Sequence, residues 1–145
     1  MRRIQRDVCH EEFVKSLTTS EGAIFKEIWR VLLFAAALGV KEGRRRPIEK
    51  VDSGKAMPES YFSSPGWRGF LYLIGIAESG DSACLRGTED AQDGLVTAFE
   101  EYANHGLHIL ADRMRSTSSP LDELITLLLE TMKPSTSSPI IEDLI

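Results

Sequence analysis

The sequence predicts an all-α fold, a compact bundle of about five helices with a basic loop after the central one. Three observations predict it. Apolar residues recur at the three- and four-residue spacing of helices through most of the chain. The alternating pattern of half-buried strands is scarce. Helix signals (Ser or Thr caps, Pro at a first position, Gly after a last turn) fall at the edges of the periodic stretches. At 145 residues the chain has the length of one domain. Such a chain buries about two thirds of its unfolded surface, so it needs no disulfide or metal staple.

His10–Leu17 reads as a short helix with Phe13, Val14 and Leu17 on one side. The run from Thr18 to Gly22 breaks it and supplies caps for the next helix. Ile24–Val40 is the clearest helix: Ile24, Ile28, Val31, Ala35 and Leu38 form one stripe, and Phe25, Trp29, Leu32 and Ala36 a second beside it. So wide an apolar face predicts the central helix of the core, with Trp29 inside. Gly39 and Gly43 read as stop signals, and Pro47 bars easy continuation. Arg44–Ser64 has the composition of a linker, with a short strand or turn allowed at Ile48–Val51. Ser64 and Pro65 then read as the cap and first residue of a helix reaching Ser79. Apolar residues surround that helix, which predicts burial on more than one side. Gly80 ends it, and Asp81 or Ser82 opens a short turn holding Cys84 and Leu85.

Thr88–Arg115 is the longest helical pattern. Leu95, Phe99, Tyr102 and Leu110 lie on one face, with Val96, Ala103, Leu107 and Met114 alongside. Acids in its first turns and Arg113 and Arg115 in its last suit the helix macrodipole. Ser116-Thr117-Ser118-Ser119-Pro120 recurs as Ser135-Thr136-Ser137-Ser138-Pro139. The first copy opens a helix, Leu121–Met132. The second precedes only the stub Ile140–Ile145, too short for a free helix. The expected organisation is a single helical domain over residues 1–132 and a flexible or partner-docking tail over 133–145.

Net charge is -5, but it is unevenly spread. Residues 1–55 carry 12 Lys/Arg against 8 Asp/Glu; residues 56–145 carry 5 against 14. A chain polarised in this way can offer one basic surface to an anion. Two cysteines, Cys9 and Cys84, make no disulfide framework and fit a reducing compartment. The longest strongly apolar run, Val31–Val40, is too short to cross a bilayer, which needs about 20 residues. The basic N-terminus has no apolar signal core behind it, which predicts a cytoplasmic protein without a membrane partner.

Candidate chemistry is sparse. Glu101, His105, His108 and Asp112 line one helix edge, and their groups suit zinc or iron. The same edge is explained more simply as the solvated side of an amphipathic helix, so no metal and no cofactor are expected. Cys84 reads as a small apolar residue rather than a nucleophile. Glu100 and Glu101 are about 100° apart on a helix and form no ready acid/base pair. No phosphate-binding glycine motif or nucleophile elbow occurs, so no catalytic residue is assigned and nothing demands an enzyme. The arginine run Gly43-Arg44-Arg45-Arg46-Pro47 is the strongest candidate, with Lys41 and Lys50 flanking it. Guanidinium groups bind phosphates bidentately, so Lys41, Arg44, Arg45, Arg46 and Lys50 are the candidate DNA-backbone contacts. The plainer alternative is a solvated loop that pairs in part with the acidic half of the chain.

Two stretches carry a family resemblance: Phe34-Ala35-Ala36-Ala37-Leu38-Gly39 with Gly43-Arg44-Arg45, and Phe99-Glu100-Glu101-Tyr102-Ala103-Asn104 with Gly106-Leu107. With Ile74, Ala77, Glu78, Ser79, Gly80 and Asp81 between them, the chain resembles the DNA phosphorothioation-associated protein 4 family over residues 1–111. The resemblance implies a place beside the Dnd systems, which replace a phosphate oxygen of bacterial DNA with sulfur, in modification or in the restriction linked to antiphage defence. It implies other Dnd proteins as partners and supplies no catalytic residue; within that setting the residues themselves, a helical module with one basic edge and no catalytic constellation, favour an accessory, non-catalytic subunit with DNA as a partner. A nickase-type enzyme and a transcriptional regulator are the alternatives. The family pattern favours glycine where this chain has His105, which speaks against His105 as a metal ligand.

Overall fold

The computed structural model describes residues 1–19, 21–62 and 66–132. Five α-helices run through them: α1 (Glu11–Thr18), α2 (Ile28–Glu42), α3 (Trp67–Ser79), α4 (Glu89–Met114) and α5 (Pro120–Met132). Short 3-10 turns occupy Val8–His10, Ser53–Lys55, Glu59–Tyr61 and Ser82–Leu85. The described residues hold no strand, only two isolated antiparallel bridges, Ile4 with Met57 and Asp7 with Val51. The fold is therefore all-α. No described helix is long and apolar enough to cross a membrane. The chain forms two units, Met1–Asp112 and Arg113–Ile145.

In the first unit α2 and α4 meet backbone to backbone. A Cβ at Gly39 would collide with the Tyr102 carbonyl, and one at Gly106 with the Ala35 carbonyl. Each helix thus lends a glycine to the other's main chain. Gly39 is consequently not a stop signal. The helix runs on to Glu42 and ends at Gly43, whose φ of 67° is the left-handed conformation glycine favours. α2 also begins later than the periodicity suggests, at Ile28 rather than Ile24. Glu27 is extended, and the Phe25 N–H donates to the Leu17 carbonyl at 3.1 Å. That bond to α1 holds Ile24 and Phe25 in the connection, where tertiary contact overrides local spacing.

Trp29 is buried, as its stripe predicts, and tilts against Phe62 at 6.3 Å between ring centroids. Phe62 stacks on Trp67 at 4.0 Å, and Phe99 of α4 meets Trp67 edge-on at 4.9 Å. α3 is buried on one side only, through Trp67, Leu71, Ile74 and Gly75. Leu73 is 67% exposed and Ile76 43%, so the apolar residues around this helix do not make it central. Composition supplies apolar surface; the number of packed neighbours decides how much is covered. Arg44–Ser64 is likewise more than a linker. Ile4 and Met57 exchange both backbone hydrogen bonds (2.8 and 2.9 Å), and Val8 N–H donates to the Lys50 carbonyl. Ala56, Met57 and Phe62 are buried as a result. The proposed cap Ser64 and Pro65 lie outside the described residues.

In the second unit Pro120 opens α5, as the first serine-proline repeat predicts. The Arg113 guanidinium joins Glu123 and Glu130 at 3.0 and 2.6 Å. Leu124 and Leu127 are buried, while Leu121, Ile125, Leu128, Leu129 and Met132 are exposed. The second repeat and the 133–145 tail lie outside the described residues.

Candidate nucleic-acid interface

Gly43 turns the chain out of α2, and the Arg44 N–H donates to the Gly39 carbonyl at 3.2 Å. From there the loop is fastened along α4. The Arg46 N–H donates to the Glu101 carbonyl at 3.0 Å. The buried Asn104 amide donates to the carbonyls of both Arg46 and Pro47, at 3.1 and 3.2 Å. Arg45 points inward. Its guanidinium donates to Glu78 at 2.7 Å and to Glu101 at 3.2 Å, and lies over the Tyr102 ring. The Tyr102 hydroxyl donates to the other oxygen of Glu78. Burial lowers the Arg45 pKa, but the two carboxylates outweigh it and raise it overall. Hydrogen bonds from Tyr102 and then Arg45 hold the Glu78 carboxyl below its usual value.

Of the five residues expected to contact DNA, Lys41, Arg44, Arg46 and Lys50 are exposed and Arg45 is half-buried. Among the described residues, no carboxylate pairs with Arg44, Arg46 or Lys50. Arg45 follows the plainer alternative instead, since it pairs with two acids of the acidic half.

Asp112 of the α4 edge is exposed as expected, but Glu101, His105 and His108 are only half-exposed and engaged with other residues. Glu101 is taken by Arg45, and His105 Nε2 lies 2.9 Å from Glu42. His108 meets the buried His10 edge-on, at 4.4 Å between ring centroids. Glu101, His105, His108 and Asp112 therefore do not converge, and His108 is grouped with residues of the N-terminal turn. Asp7 builds that turn: its carboxylate accepts from the Cys9 and Glu49 N–H groups at 3.0 and 2.9 Å. Burial raises the Asp7 pKa, yet these hydrogen bonds bring it below the usual value. Burial lowers the pKa of both His10 and His108. The two histidines' mutual repulsion adds to this at His10, and the nearby Arg46 charge adds at both.

Residues 3–143 match the family model for DNA sulphur modification system-associated protein 4. The chain belongs to this family. The match continues through the serine-rich repeats and the tail, past residue 111, where the resemblance read from the sequence stops. No curated protein and no solved structure matches the chain.

The basic N-terminus is largely internal. Arg2 grips the buried Glu100 through both terminal nitrogens, at 2.8 and 2.7 Å. Arg6 holds Glu11 through Nε and one terminal nitrogen, at 2.8 Å for each bond. Glu100 and Glu101 thus serve different arginines. Cys84 sits against Gly75 and donates to the Asp81 carbonyl, a packing role. A feature that sequence reasoning missed is a cleft of about 690 Å³ lined by Arg3, Lys15, Lys55 and Tyr61. These residues are scattered over the first 61 positions and form no run. Lys55 shares Glu11 with Arg6, which leaves the cleft less cationic than the Gly43–Pro47 loop.

Proposed function

We propose that this protein is an accessory, non-catalytic subunit of a DNA sulphur modification system. It contacts the DNA phosphate backbone through Lys41, Arg44, Arg46 and Lys50 and acts together with other proteins of that system. The observation that carries the reading is the alternation in the loop. Arg45 turns in to Glu78 and Glu101, and Asn104 fixes the carbonyls behind Arg46 and Pro47. Arg44 and Arg46 are left exposed on either side of a braced residue. A fastened basic loop loses little freedom on meeting a phosphate, which favours binding. Backbone contacts of this kind position a protein on DNA without reading sequence. The overall acidity of the chain suits a subunit whose partners supply much of the DNA surface.

The test is DNA binding across a salt series, by the protein alone and in complex with co-expressed system proteins. The Arg44→Ala, Arg46→Ala double variant is expected to bind more weakly on every sequence. Its slope of log affinity against log salt should fall by about 0.9 per lost duplex contact. An unchanged slope in a folded double variant removes the DNA assignment. Failure of the tagged protein to retain any partner from the system removes the subunit assignment.

A further inference from the structure

Cys9 and His10 sit on the 3-10 turn Val8–His10, and His108 projects from α4. One potential ligand atom from each lies within 4.8 Å of the other two. We propose that Cys9, His10 and His108 bind a divalent transition metal ion of the zinc class, with a fourth position open to solvent. A thiolate and two imidazoles are ligands zinc prefers, and three protein ligands with one open position is a recurrent arrangement. Zinc bond lengths of about 2.0–2.3 Å put tetrahedral ligand atoms about 3.3–3.6 Å apart. The cluster must therefore close by little more than about 1 Å, and the exposed Cys9 side chain can supply that by rotation.

The surroundings favour the ion. His10 is buried and its Nε2 completes no hydrogen bond, with the Asn104 side chain the polar group that interacts with the ring. The Asp7 carboxylate fixes the turn that carries two of the ligands. Asp7 and Asp112 set two negative charges near the site against the positive charge of Arg46. A thiolate at Cys9 would cancel one of the ion's charges. The site uses none of the DNA-contact residues, so it stands or falls apart from the proposed function. It also differs from the Glu101, His105, His108, Asp112 row, sharing only His108.

The test uses the tag-free full chain, purified reduced and stripped of metal, then titrated with cobalt(II) and with zinc(II). One cobalt per chain is expected, with a thiolate-to-cobalt charge-transfer band that one equivalent of zinc abolishes. Zinc should also raise the melting temperature in a concentration-dependent way. Cys9→Ser should lose the band while keeping its helical circular dichroism, since Cys9 is exposed. His108→Gln should weaken metal binding at least about tenfold, whereas His105→Gln should leave it unchanged. If His108→Gln does not fold, the Cys9→Ser result decides. Absence of the charge-transfer band in the unmodified protein overturns the proposal. So does wild-type affinity in both Cys9→Ser and a folded His108→Gln.

Discussion

Arg45 lies between two carboxylates, whereas its neighbours Arg44 and Arg46 meet none among the described residues. Replacing Arg45 with Ala is therefore expected to cost about 1–2 kcal/mol, because Glu78 and Glu101 lose charge-assisted hydrogen bonds in a half-buried setting. Arg44→Ala should change stability by no more than about 0.5 kcal/mol, as surface substitutions do. Urea unfolding of the two variants side by side measures the contrast; equal effects would remove the distinction. The same cluster sets a pH window. The Glu78 carboxyl is held below its unfolded value by Tyr102 and Arg45. Its stabilisation is present above about pH 4.5 and is lost as pH falls through the lowered folded value. Tyr102 is raised, first by the hydrogen bond to Glu78 and then by burial. Its contribution is present below pH 10 and lost as pH rises through the raised value. Thermal melts across pH should show both flanks steepen less in Tyr102→Phe than in the parent. Three consecutive arginines look alike in a sequence. What separates them is which acids the fold places beside each, and only the acids on α3 and α4 reveal that Arg45 turns inward.

At the scale of helices, the α2–α4 crossing rests on Gly39 and Gly106. Gly106→Ala should force the two backbones apart and cost at least about 1–3 kcal/mol, the range for overpacking a tight core. Gly94→Ala, in the same helix with open space around it, should be neutral or mildly stabilising. Calorimetric melting of the pair tests this; a Gly106→Ala protein as stable as the parent would mean that the helices are not in close contact. Trp29→Ala should cost about 3–5 kcal/mol, the usual range for a buried large aromatic. Both expectations rest on α2, whose stripes were legible in the sequence because helical periodicity is local. Its ends were less so. Gly39 as a packing contact and Gly43 as a left-handed cap are written with the same letter, and only the partner helix tells them apart. Ile24 keeps helical spacing yet falls outside α2, because the Phe25 N–H is already bonded to Leu17.

Across the whole molecule, the all-α class was legible and the assembly of sites was not, for one physical reason. Helices announce themselves within ten or fifteen residues, but Cys9 meets His108, and Arg2 meets Glu100, only through the fold. Two arginines of the basic half are drawn into internal pairs with the acidic half. Arg2 and Arg45 are joined to Glu100, Glu78 and Glu101 rather than offered to a ligand. This internal pairing also bears on the order in which the chain is made. The first ten residues hold Met57 by backbone bonds and α4 by the Arg2–Glu100 pair, 98 residues downstream. At about 5–20 residues per second, the ribosome takes about 5–20 s to deliver Glu100 after Arg2. Once Glu42 has been added, α1 and α2 are complete for the rest of that interval, but the helix that covers the buried stripe of α2 is not. The newborn N-terminal half then waits with its most apolar helix uncovered, a state that invites misassembly and capture by chaperones.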